Sequence, residues 1–426
     1  SKVRQKARMG VLADAMADEP FCRALVEAIG AGRTLKAEGG SVRFTPGRAY
    51  AAVVGDALHT AAPLRRLTLS SNSVSLIGDK LFLKAYRRLQ PGVSPELEMG
   101  RHLTDVVAFP HCVPVAGSVE FHAADGVVWT LAVLQGQLPN QGDAWVYTVD
   151  QLTRLLEGQA APAAAADGAD GASGDGIPVE RVQVLARRVA ELHLALARRT
   201  GVPAFEPEPV EAADLQRWAA AVRDECARTR ALLEGQRGGW PAPLAALADQ
   251  VLRAWPSLLA RVDRVAQAAP AGLKTRVHGD LHLEQVLICR DDFFIVDFEG
   301  EPQRSFAERR AKQSALRDVA GMLRSFDYAR HTALHQVAPA AADAERLAPA
   351  AARWGHRVRT AFLDTYREVV TAGGLYAAPG AGFEAALPLL ELFELEKALY
   401  ELRYEIGNRP DWIAVPLAGI AALAGA

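Results

Sequence analysis

Hydrophobic residues recur at different periods in different parts of the chain. Residues 8–31 carry apolar side chains at helical spacing and end at glycines, a pattern that predicts a helix. Residues 41–90 instead contain short apolar runs that partly alternate with polar residues and are bounded by Gly, Asp, Ser and Pro, which predicts strands. Residues 77–80, Ile-Gly-Asp-Lys, predict a tight turn between two of these strands.

One helix interrupts the strand-rich region. Pro95 precedes ELEMGRHLTDV, which predicts a short helix with proline in its first turn. The runs VPVAGSVEFHA and VVWTLAVLQ then predict two more strands. After Asp143 helical patterns dominate, except at 275–300, where VLICR and FFIVDFEG predict a hairpin around 290–292. We therefore predict an α+β fold, with a small, mostly antiparallel β-rich lobe before a larger helical lobe.

Composition suggests how these lobes are divided. Residues 158–176 are a low-complexity run of Ala, Gly and Asp, which predicts a flexible surface insertion. We predict an N-terminal cap at 1–66, a β-rich lobe at 67–138 and a helical lobe at 139–426. The sequence starts without Met in a charged segment, and we expect either a stand-alone protein or a domain excised from a fusion.

Charge and cysteine content exclude several classes of function. The chain has 426 residues, with 48 basic and 50 acidic side chains, and this balance argues against nucleic-acid binding. No apolar run approaches the roughly 18 residues of a membrane span, and the start does not resemble a signal peptide. The four cysteines show no ligand spacing, which favours free thiols in a reducing compartment. We expect a cytoplasmic protein without nucleic-acid or membrane partners.

The most informative stretch joins a polar loop to the predicted hairpin. Asp280 follows His278 and Gly279, where the chain can bend sharply, and Gln285 lies five residues further on. Asp297 ends the apolar run FFIVD, and the predicted hairpin would place it at the same end as Gln285. Carboxylate and amide oxygens are ligands that Mg²⁺ prefers, and Asp280 beside them can accept a hydroxyl proton. Each motif alone more often marks a turn, but their order and spacing resemble the catalytic set of protein kinases.

A kinase of this kind also needs a lysine for the nucleotide phosphates. Lys84 fits, because it lies on a predicted strand whose apolar residues alternate away from it, whereas Lys80 lies in the turn. Glu96 or Glu98 of the following helix can pair with Lys84, and helix alignment favours Glu96, although either can instead complement the helix dipole. The loop before the strand lacks a glycine-rich pattern, but its polar residues can hold phosphate oxygens; they include Ser71, Asn72 and Ser73.

Three long blocks resemble bacterial maltokinases, a branch of the kinase-like fold related to aminoglycoside phosphotransferases. They are residues 81–104, 297–329 and 390–417. Similar blocks form the C-terminal part of trehalose synthase–maltokinase fusions. The resemblance implies a two-lobed protein-kinase-like fold that uses ATP and Mg²⁺. It also implies phosphorylation of maltose at the anomeric hydroxyl to give α-maltose 1-phosphate for glycogen synthesis, and trehalose synthase as a fused or associated partner.

The resemblance also implies roles for individual residues. Asp280 resembles the catalytic base, Gln285 and Asp297 resemble the Mg²⁺ ligands, and Lys84 resembles the lysine that holds the ATP phosphates. Gln135 falls where the adenine-binding linker is expected.

Three further residues are expected to support the site. His278 is expected to hydrogen-bond the backbone around the catalytic turn. Asp318 resembles the buried aspartate that anchors the catalytic loop. His282 is expected to support that loop, because Mg²⁺ prefers oxygen. Glu284 departs from the pattern, since a glycine is expected there.

A set of residues near the C-terminus suits a sugar. Helical spacing places four polar and aromatic residues on one face, and two more follow a helix stop: Lys397, Tyr400, Glu401 and Tyr404, then Arg409 and Trp412. By spacing alone such a stripe is more often core packing and salt bridges, but the resemblance implies maltose binding. Glu299 and Glu301 are further candidates for orienting the sugar, with a solvent-exposed turn as the alternative.

Three alternatives to a maltokinase remain. One is a kinase for another sugar, such as glucosamine. Another is a regulatory pseudokinase module of a trehalose synthase, although all the catalytic residue types are present. The third, phosphorylation of a cationic antibiotic, has least support because the charge of residues 397–409 is mixed.

Overall fold

A computed structural model describes residues 2–5, 8–11, 13–58, 64–67, 72–160, 179–376 and 382–425. Most of the predicted insertion at 158–176 lies outside these residues, as does Ser71. The strands are β1 (Lys2–Gln5), β2 (Arg8–Val11), β3 (Thr34–Ala37), β4 (Gly40–Pro46), β5 (Leu64–Leu67), β6 (Ser73–Ile77), β7 (Leu81–Ala85), β8 (Val115–Ala123), β9 (Val128–Gly136), β10 (Glu208–Pro209), β11 (Leu273–Thr275), β12 (Val286–Cys289), β13 (Asp292–Ile295) and β14 (Gln313–Ser314).

The helices alternate with these strands early in the chain and dominate it later. They are α1 (Glu19–Gly30), α2 (Tyr50–Val54), α3 (Pro95–Arg101), α4 (Ala144–Ala160), α5 (Val179–Leu196), α6 (Ala212–Gln236), α7 (Ala242–Ala266), α8 (Phe306–Arg310), α9 (Leu316–Val337), α10 (Ala341–Ala372), α11 (Phe383–Asn408) and α12 (Ala414–Ala424). Among the residues described, no helix is both long and apolar enough to cross a membrane.

The chain divides into two compact units. Unit 1 comprises Ser1–Gln141 and Cys289–Arg310, and unit 2 comprises Gly142–Ile288 and Ala311–Ala426. Strands β12 and β13 form the predicted hairpin, in which the chain passes from unit 2 back to unit 1. The domain boundaries proposed from composition stay predictions.

A single antiparallel sheet organises unit 1. Within the described part of the chain it has seven strands, in the order β3-β4-β8-β9-β7-β6-β5. The predicted turn at 77–80 is confirmed, since Ile77 pairs with Leu81 across β6 and β7. One face of the sheet packs against α1 through a core that includes Ile29 and Leu134. The other packs against α3 through Leu97 and Val133.

The register of β7 directs Lys84 towards α3. Lys84 lies opposite Val133 in the pairing of β7 with β9, and residues directly opposite in an antiparallel pair share a face. Because Val133 packs against Leu97 of α3, Lys84 lies on that face of the sheet. Leu81 and Leu83 enter the core on the α1 face, as their alternation with Lys84 predicted.

The predicted helix at 8–31 is wrong in its first half. Residues 8–11 form β2, which pairs with β1, and the helix begins only at Glu19. The cause is local, because Pro20 lacks a backbone N–H and is tolerated only in the first turn of a helix. The side chain of Asp18 caps this first turn by accepting from the N–H of Phe21 at 3.0 Å.

Two largely buried helices, α9 and α11, are joined by a charged contact inside unit 2. The Nε and Nη2 of Arg324, on α9, donate to Oε2 of Glu401, on α11, at 3.0 and 2.7 Å. Both residues are buried. A Cβ on Gly419 of α12 would lie 2.2 Å from Nη1 of Arg324, so glycine allows α12 to pass over the guanidinium.

Removing one partner of this pair should destabilise the fold. We expect Arg324→Met to lower the free energy of unfolding by roughly 3–5 kcal/mol, because it leaves the Glu401 carboxylate buried without its cation. Urea unfolding followed by circular dichroism measures the change. Arg261→Met is the matched control, since Arg261 pairs with Glu391 at a largely exposed position, and we expect it to cost less than about 1 kcal/mol. Equal losses in the two variants would contradict the prediction.

Candidate active site

Three carboxylates converge on Lys84 in unit 1. Its Nζ lies 2.9 Å from Glu96 and 3.7 Å from Asp297, and it donates a hydrogen bond to Oε1 of Glu299. Lys84 is 8% exposed. Burial alone would lower the pKa of Lys84, but the three carboxylates raise it above the ordinary value. Lys84 is therefore a fixed cation at neutral pH.

Helix α3 holds Glu96 against this cation. The hydroxyl of Ser94 caps the helix by accepting from the N–H of Leu97 at 3.2 Å. The carboxylate of Glu96 accepts from the Tyr86 hydroxyl at 2.5 Å and from Nε2 of Gln135 at 3.4 Å. Gln135 therefore contacts Glu96 with its side chain, and its predicted place at an adenine-binding linker stays a prediction.

The structure also separates the two glutamates that the sequence left as alternatives. Glu98, two residues after Glu96, accepts two hydrogen bonds from Arg310 of α8 at 3.0 and 2.7 Å. Lys84 thus pairs with Glu96, the residue that helix alignment favoured.

Asp297 and Glu299 lie in the turn after β13. Asp297 has a φ of 63°, in the left-handed region that aspartate tolerates better than most residues. The main-chain oxygen of Glu299 accepts from Nη1 of Arg309 at 3.3 Å. Burial raises the pKa of Glu299, and the charge of Lys84 only partly opposes this effect. The predicted role of Glu299 in orienting a sugar stays a prediction.

The predicted phosphate loop contributes two described residues. Nδ2 of Asn72 donates to Glu299 at 3.4 Å, so Asn72 belongs to the surroundings of Lys84. The Ser73 hydroxyl donates to Asp14 at 2.6 Å and accepts from Arg87 at 3.0 Å. Ser73 is therefore engaged by side chains of unit 1, while Ser71 lies outside the described residues.

The oxygen donors of unit 1 fit a hard divalent cation. One carboxylate oxygen from each of Glu96, Asp297 and Glu299 lies within 4.8 Å of the others. The side chain of Asp297 is 43% exposed, so it can receive a cation from solvent. Carboxylate oxygens are the ligands that Mg²⁺ prefers. The donor set is therefore compatible with Asp297 as a Mg²⁺ ligand.

In unit 2, a buried carboxylate fixes the loop that carries Asp280. Asp318 of α9 accepts from the backbone N–H of His278 and from that of Gly279, both at 2.8 Å. Gly279 has a φ of 85°, a conformation that favours glycine. A Cβ on Gly321, one turn after Asp318, would lie 2.5 Å from the carbonyl oxygen of Leu281, so the loop packs directly on α9.

A histidine of α5 completes the support of Asp318. Nε2 of His193 lies 3.1 Å from Oδ2 of Asp318, and its Nδ1 lies 2.7 Å from the Tyr366 hydroxyl. Burial alone would raise the pKa of Asp318, but hydrogen bonds and charge from His193, with His278 and Gly279, lower it. Asp318 is therefore ionised, which strengthens the two hydrogen bonds that shape the loop.

Asp280 is paired with a lysine of α11. Its Oδ1 lies 3.2 Å from Nζ of Lys397, and the two side chains are 20% and 29% exposed. Burial would raise the pKa of Asp280, but the positive charge of Lys397, with a smaller effect of His282, lowers it. Asp280 is therefore ionised at neutral pH and only partly open to solvent, which suits a group that accepts a proton from a bound hydroxyl.

The residues after Asp280 form a short 3₁₀ turn. Nε2 of Gln285 lies 3.5 Å from Nε2 of His282, which agrees with a supporting role for His282. Nδ1 of His282 lies 3.7 Å from the carboxylate of Glu284, whose side chain is 61% exposed. Gln285 belongs to unit 2 and Asp297 to unit 1. Their predicted sharing of one Mg²⁺ ion stays a prediction.

Most of the predicted sugar-binding residues form a row of ring and cation contacts along the end of α11 and the turn after it. The Lys397 ammonium lies 5.4 Å from the ring centroid of Tyr400, and the Tyr400 and Tyr404 rings stack at 6.5 Å. The Arg409 guanidinium lies 5.4 Å from the Tyr404 ring and 5.3 Å from the Trp412 ring. Helix α11 ends at Asn408, as its glycine and asparagine predicted.

Two members of this set also hold the fold together. Glu401 pairs with Arg324 of α9. Arg409 pairs with the buried Glu405 at 2.6 Å, and Glu405 also accepts from the Tyr328 hydroxyl at 3.0 Å. Glu401 therefore fits the alternative that these residues serve core packing and salt bridges. Tyr404, by contrast, is 39% exposed. Sugar binding by any of these residues stays a prediction.

Two partners of the site and of α11 could not be predicted from the sequence. His193 lies 125 positions before Asp318, on a helix recognised only by its apolar periodicity. Arg324 lies 77 positions before Glu401, in a block that was noted only for its resemblance. The local signal for His193 and for Arg324 was a polar residue among the apolar, buried positions of its helix.

No protein-family model matches the chain. A glucosamine kinase of Streptacidiphilus jiangxiensis is 28% identical over 67% of this chain and 56% of its own length, so the match spans less than two thirds of that relative. A glucosamine kinase of Mycolicibacterium smegmatis is 28% identical over 86% of this chain and 81% of that protein.

Solved structures extend the likeness to the whole chain. A glucosamine kinase in complex with glucosamine, ADP and inorganic phosphate has a TM-score of 0.70 at 20% identity, covering 99% of this chain and 86% of that one. A second crystal form of a glucosamine kinase has a TM-score of 0.68 at 22% identity, covering 100% and 87%. The predicted fold is thereby confirmed: the chain has a protein-kinase-like fold, with an antiparallel β-sheet lobe and a mostly helical lobe.

Proposed function

We propose that this chain is an ATP-dependent kinase of a small sugar, with glucosamine as the favoured acceptor. The observation that carries the proposal is the loop of Asp280, an ionised carboxylate held by Lys397 on a backbone fixed by Asp318. Lys84, with its three carboxylates, supports the nucleotide part of the proposal. The relatives named glucosamine kinases support the acceptor.

In the proposed reaction, the sugar hydroxyl attacks the γ-phosphorus of ATP, its proton passes to Oδ2 or Oδ1 of Asp280, and ADP leaves. Lys397 orients the Asp280 carboxylate. Lys84 offers its ammonium to the phosphate oxygens and Glu96 holds that ammonium in place. Asp297 and Gln285 are the residues that would hold Mg²⁺, which neutralises phosphate charge when bound. Positioning and electrostatics supply most of the catalysis.

The position of Lys397 bears on which hydroxyl is phosphorylated. Its ammonium lies 3.2 Å from Asp280, and like charges repel strongly at a partly buried site. The amine of glucosamine should therefore lie away from Asp280. A hydroxyl remote from the amine, of which the primary hydroxyl is the most remote, should be the one that reacts.

Maltose is the second candidate acceptor. Tyr400 and Tyr404, whose ring centroids lie 6.5 Å apart, provide two neighbouring aromatic groups, which suits an acceptor with two sugar rings. The sequence blocks that resemble maltokinases include this helix. For maltose the proposed product is α-maltose 1-phosphate, and the proposed link to trehalose synthase belongs to this candidate alone.

Replacement of the proposed base tests the reaction. We expect Asp280→Asn to lower kcat at least about a hundredfold, because the amide cannot accept the hydroxyl proton, while ADP affinity changes little. A coupled assay for ADP release measures turnover. Asp291→Asn in the exposed β12–β13 turn is the matched control and should leave turnover unchanged. A near-normal rate in Asp280→Asn would remove Asp280 from this role.

Replacement of the proposed phosphate-binding lysine tests the nucleotide site. We expect Lys84→Met to raise the Kd for Mg·ADP at least about tenfold, because charge-assisted hydrogen bonds to the phosphates are lost. Calorimetry measures the affinity. Lys80→Met, in the exposed turn four residues earlier, should bind Mg·ADP normally. Equal affinities in the two variants would refute the assignment.

A competition among acceptors tests the substrate. Glucosamine, maltose and glucose are offered together with ATP and Mg²⁺, and the products are identified by ³¹P nuclear magnetic resonance and mass spectrometry. We expect a glucosamine phosphate modified away from the amine. Maltose 1-phosphate as the main product would favour the second candidate. Nucleotide binding without any sugar phosphate would favour the pseudokinase alternative.

A further inference from the structure

The surroundings of Lys84 carry more negative charge than its ammonium can balance. Glu96, Asp297 and Glu299 give three negative charges to the single positive charge of Lys84. Arg309 lies nearby, but its guanidinium contacts the main-chain oxygen of Glu299 rather than its carboxylate. A nucleotide phosphate would add further negative charge at the same place.

The three carboxylates are not held equally. Glu96 is 3% exposed and is fixed by Tyr86 and Gln135 as well as by Lys84. Within the described part of the chain, the carboxylate of Glu299 accepts hydrogen bonds from Lys84 and, at 3.4 Å, from the side-chain amide of Asn72. Its side chain is 26% exposed. Of the two carboxylates within hydrogen-bond distance of Lys84, Glu299 is therefore the one that can leave it with the smaller change in the rest of unit 1.

Glu299 also occupies one of the donors that a phosphate can use. The Lys84 ammonium has three N–H donors, and carboxylates of Glu96 and Glu299 both lie within hydrogen-bond distance of it. An approaching phosphate therefore has at most one donor of Lys84 left, unless a carboxylate is displaced, and it meets the repulsion of the nearby carboxylates. A divalent cation brings two positive charges and prefers such oxygens as ligands, so it reduces this repulsion and can draw Glu299 away from Lys84.

We propose that Glu299 shields Lys84 from nucleotides that arrive without a divalent cation, and so makes nucleotide binding depend on the cation. This inference rests on the proposed nucleotide site at Lys84. It assigns to Glu299 a role in selecting the metal-bound form of the nucleotide. The ligand class is a nucleoside di- or triphosphate complexed with a divalent cation.

Calorimetric titration of the full chain with ADP tests the inference. The titration is carried out once with Mg²⁺ and once with EDTA, which removes divalent cations. For Glu299→Gln we expect metal-free ADP to bind at least tenfold more tightly than to the unaltered protein, a change of about 1.4 kcal/mol. The ratio of affinities with and without Mg²⁺ should fall accordingly. Glu98→Gln is the matched control, because Glu98 lies on the same helix as Glu96 but pairs with Arg310. It should leave the metal-free affinity unchanged.

The outcomes separate this inference from the proposed function. If Mg·ADP binds the unaltered protein and Glu299→Gln binds metal-free ADP no more tightly, the shielding role of Glu299 is overturned and the nucleotide site stands. If Mg·ADP does not bind the unaltered protein, the proposed function fails and the inference fails with it. Thermal unfolding by circular dichroism verifies that both variants are folded.

A second measurement needs no variant. Without metal, the affinity of the unaltered protein should decrease along the series adenosine, AMP, ADP and ATP, because each phosphate adds repulsion. With Mg²⁺ we expect ADP and ATP to bind more tightly than adenosine. Metal-free ATP binding as tightly as adenosine would overturn the inference even if Glu299→Gln failed to fold.

Discussion

The loop that carries Asp280 depends on one buried carboxylate. Asp318 accepts hydrogen bonds from two successive backbone N–H groups, those of His278 and Gly279, and its Oδ2 also lies 3.1 Å from Nε2 of His193. Two adjacent peptide groups held by one anion leave the loop little freedom. Asp318 therefore determines the position of Asp280 through the backbone of the loop, although the two side chains have different surroundings and different proposed roles.

Helix α9 extends this constraint along its length. Asp318, Gly321 and Arg324 follow one another at a spacing of three, so they lie on neighbouring turns. The first fixes the Asp280 loop, the second admits its backbone, and the third anchors α11. In unit 1 the register of β7 has the corresponding effect, because it decides that Lys84 meets α3 rather than the core beneath α1. Both candidate catalytic residues are thus positioned by backbone elements that are themselves buried.

The sequence predicted features that local chemistry determines. The turn at 77–80, helix α3 after Ser94 and the end of α11 at Asn408 each follow from a few neighbouring residues. The prediction of a helix over 8–31 was wrong in its first half because it relied on apolar periodicity. In the structure, Asp18 and Pro20 set the start of the helix at Glu19. The contacts of Asp318 with His193, and of Glu401 with Arg324, join residues 125 and 77 positions apart. Tertiary packing alone decides such pairs, so periodicity could place the helices but not their partners.

The contact between Arg324 and Glu401 divides α11 into two functional sides. Glu401 and Glu405 face the interior and are committed to Arg324, Tyr328 and Arg409. Of the two tyrosines on the same turns, Tyr404 is exposed and Tyr400 is half-buried. Substitution of the exposed Tyr404 would therefore leave the contact between Arg324 and Glu401 in place, whereas substitution of Glu401 would remove it. The side of α11 proposed to meet the acceptor can thus change in shape and polarity at a small cost in stability.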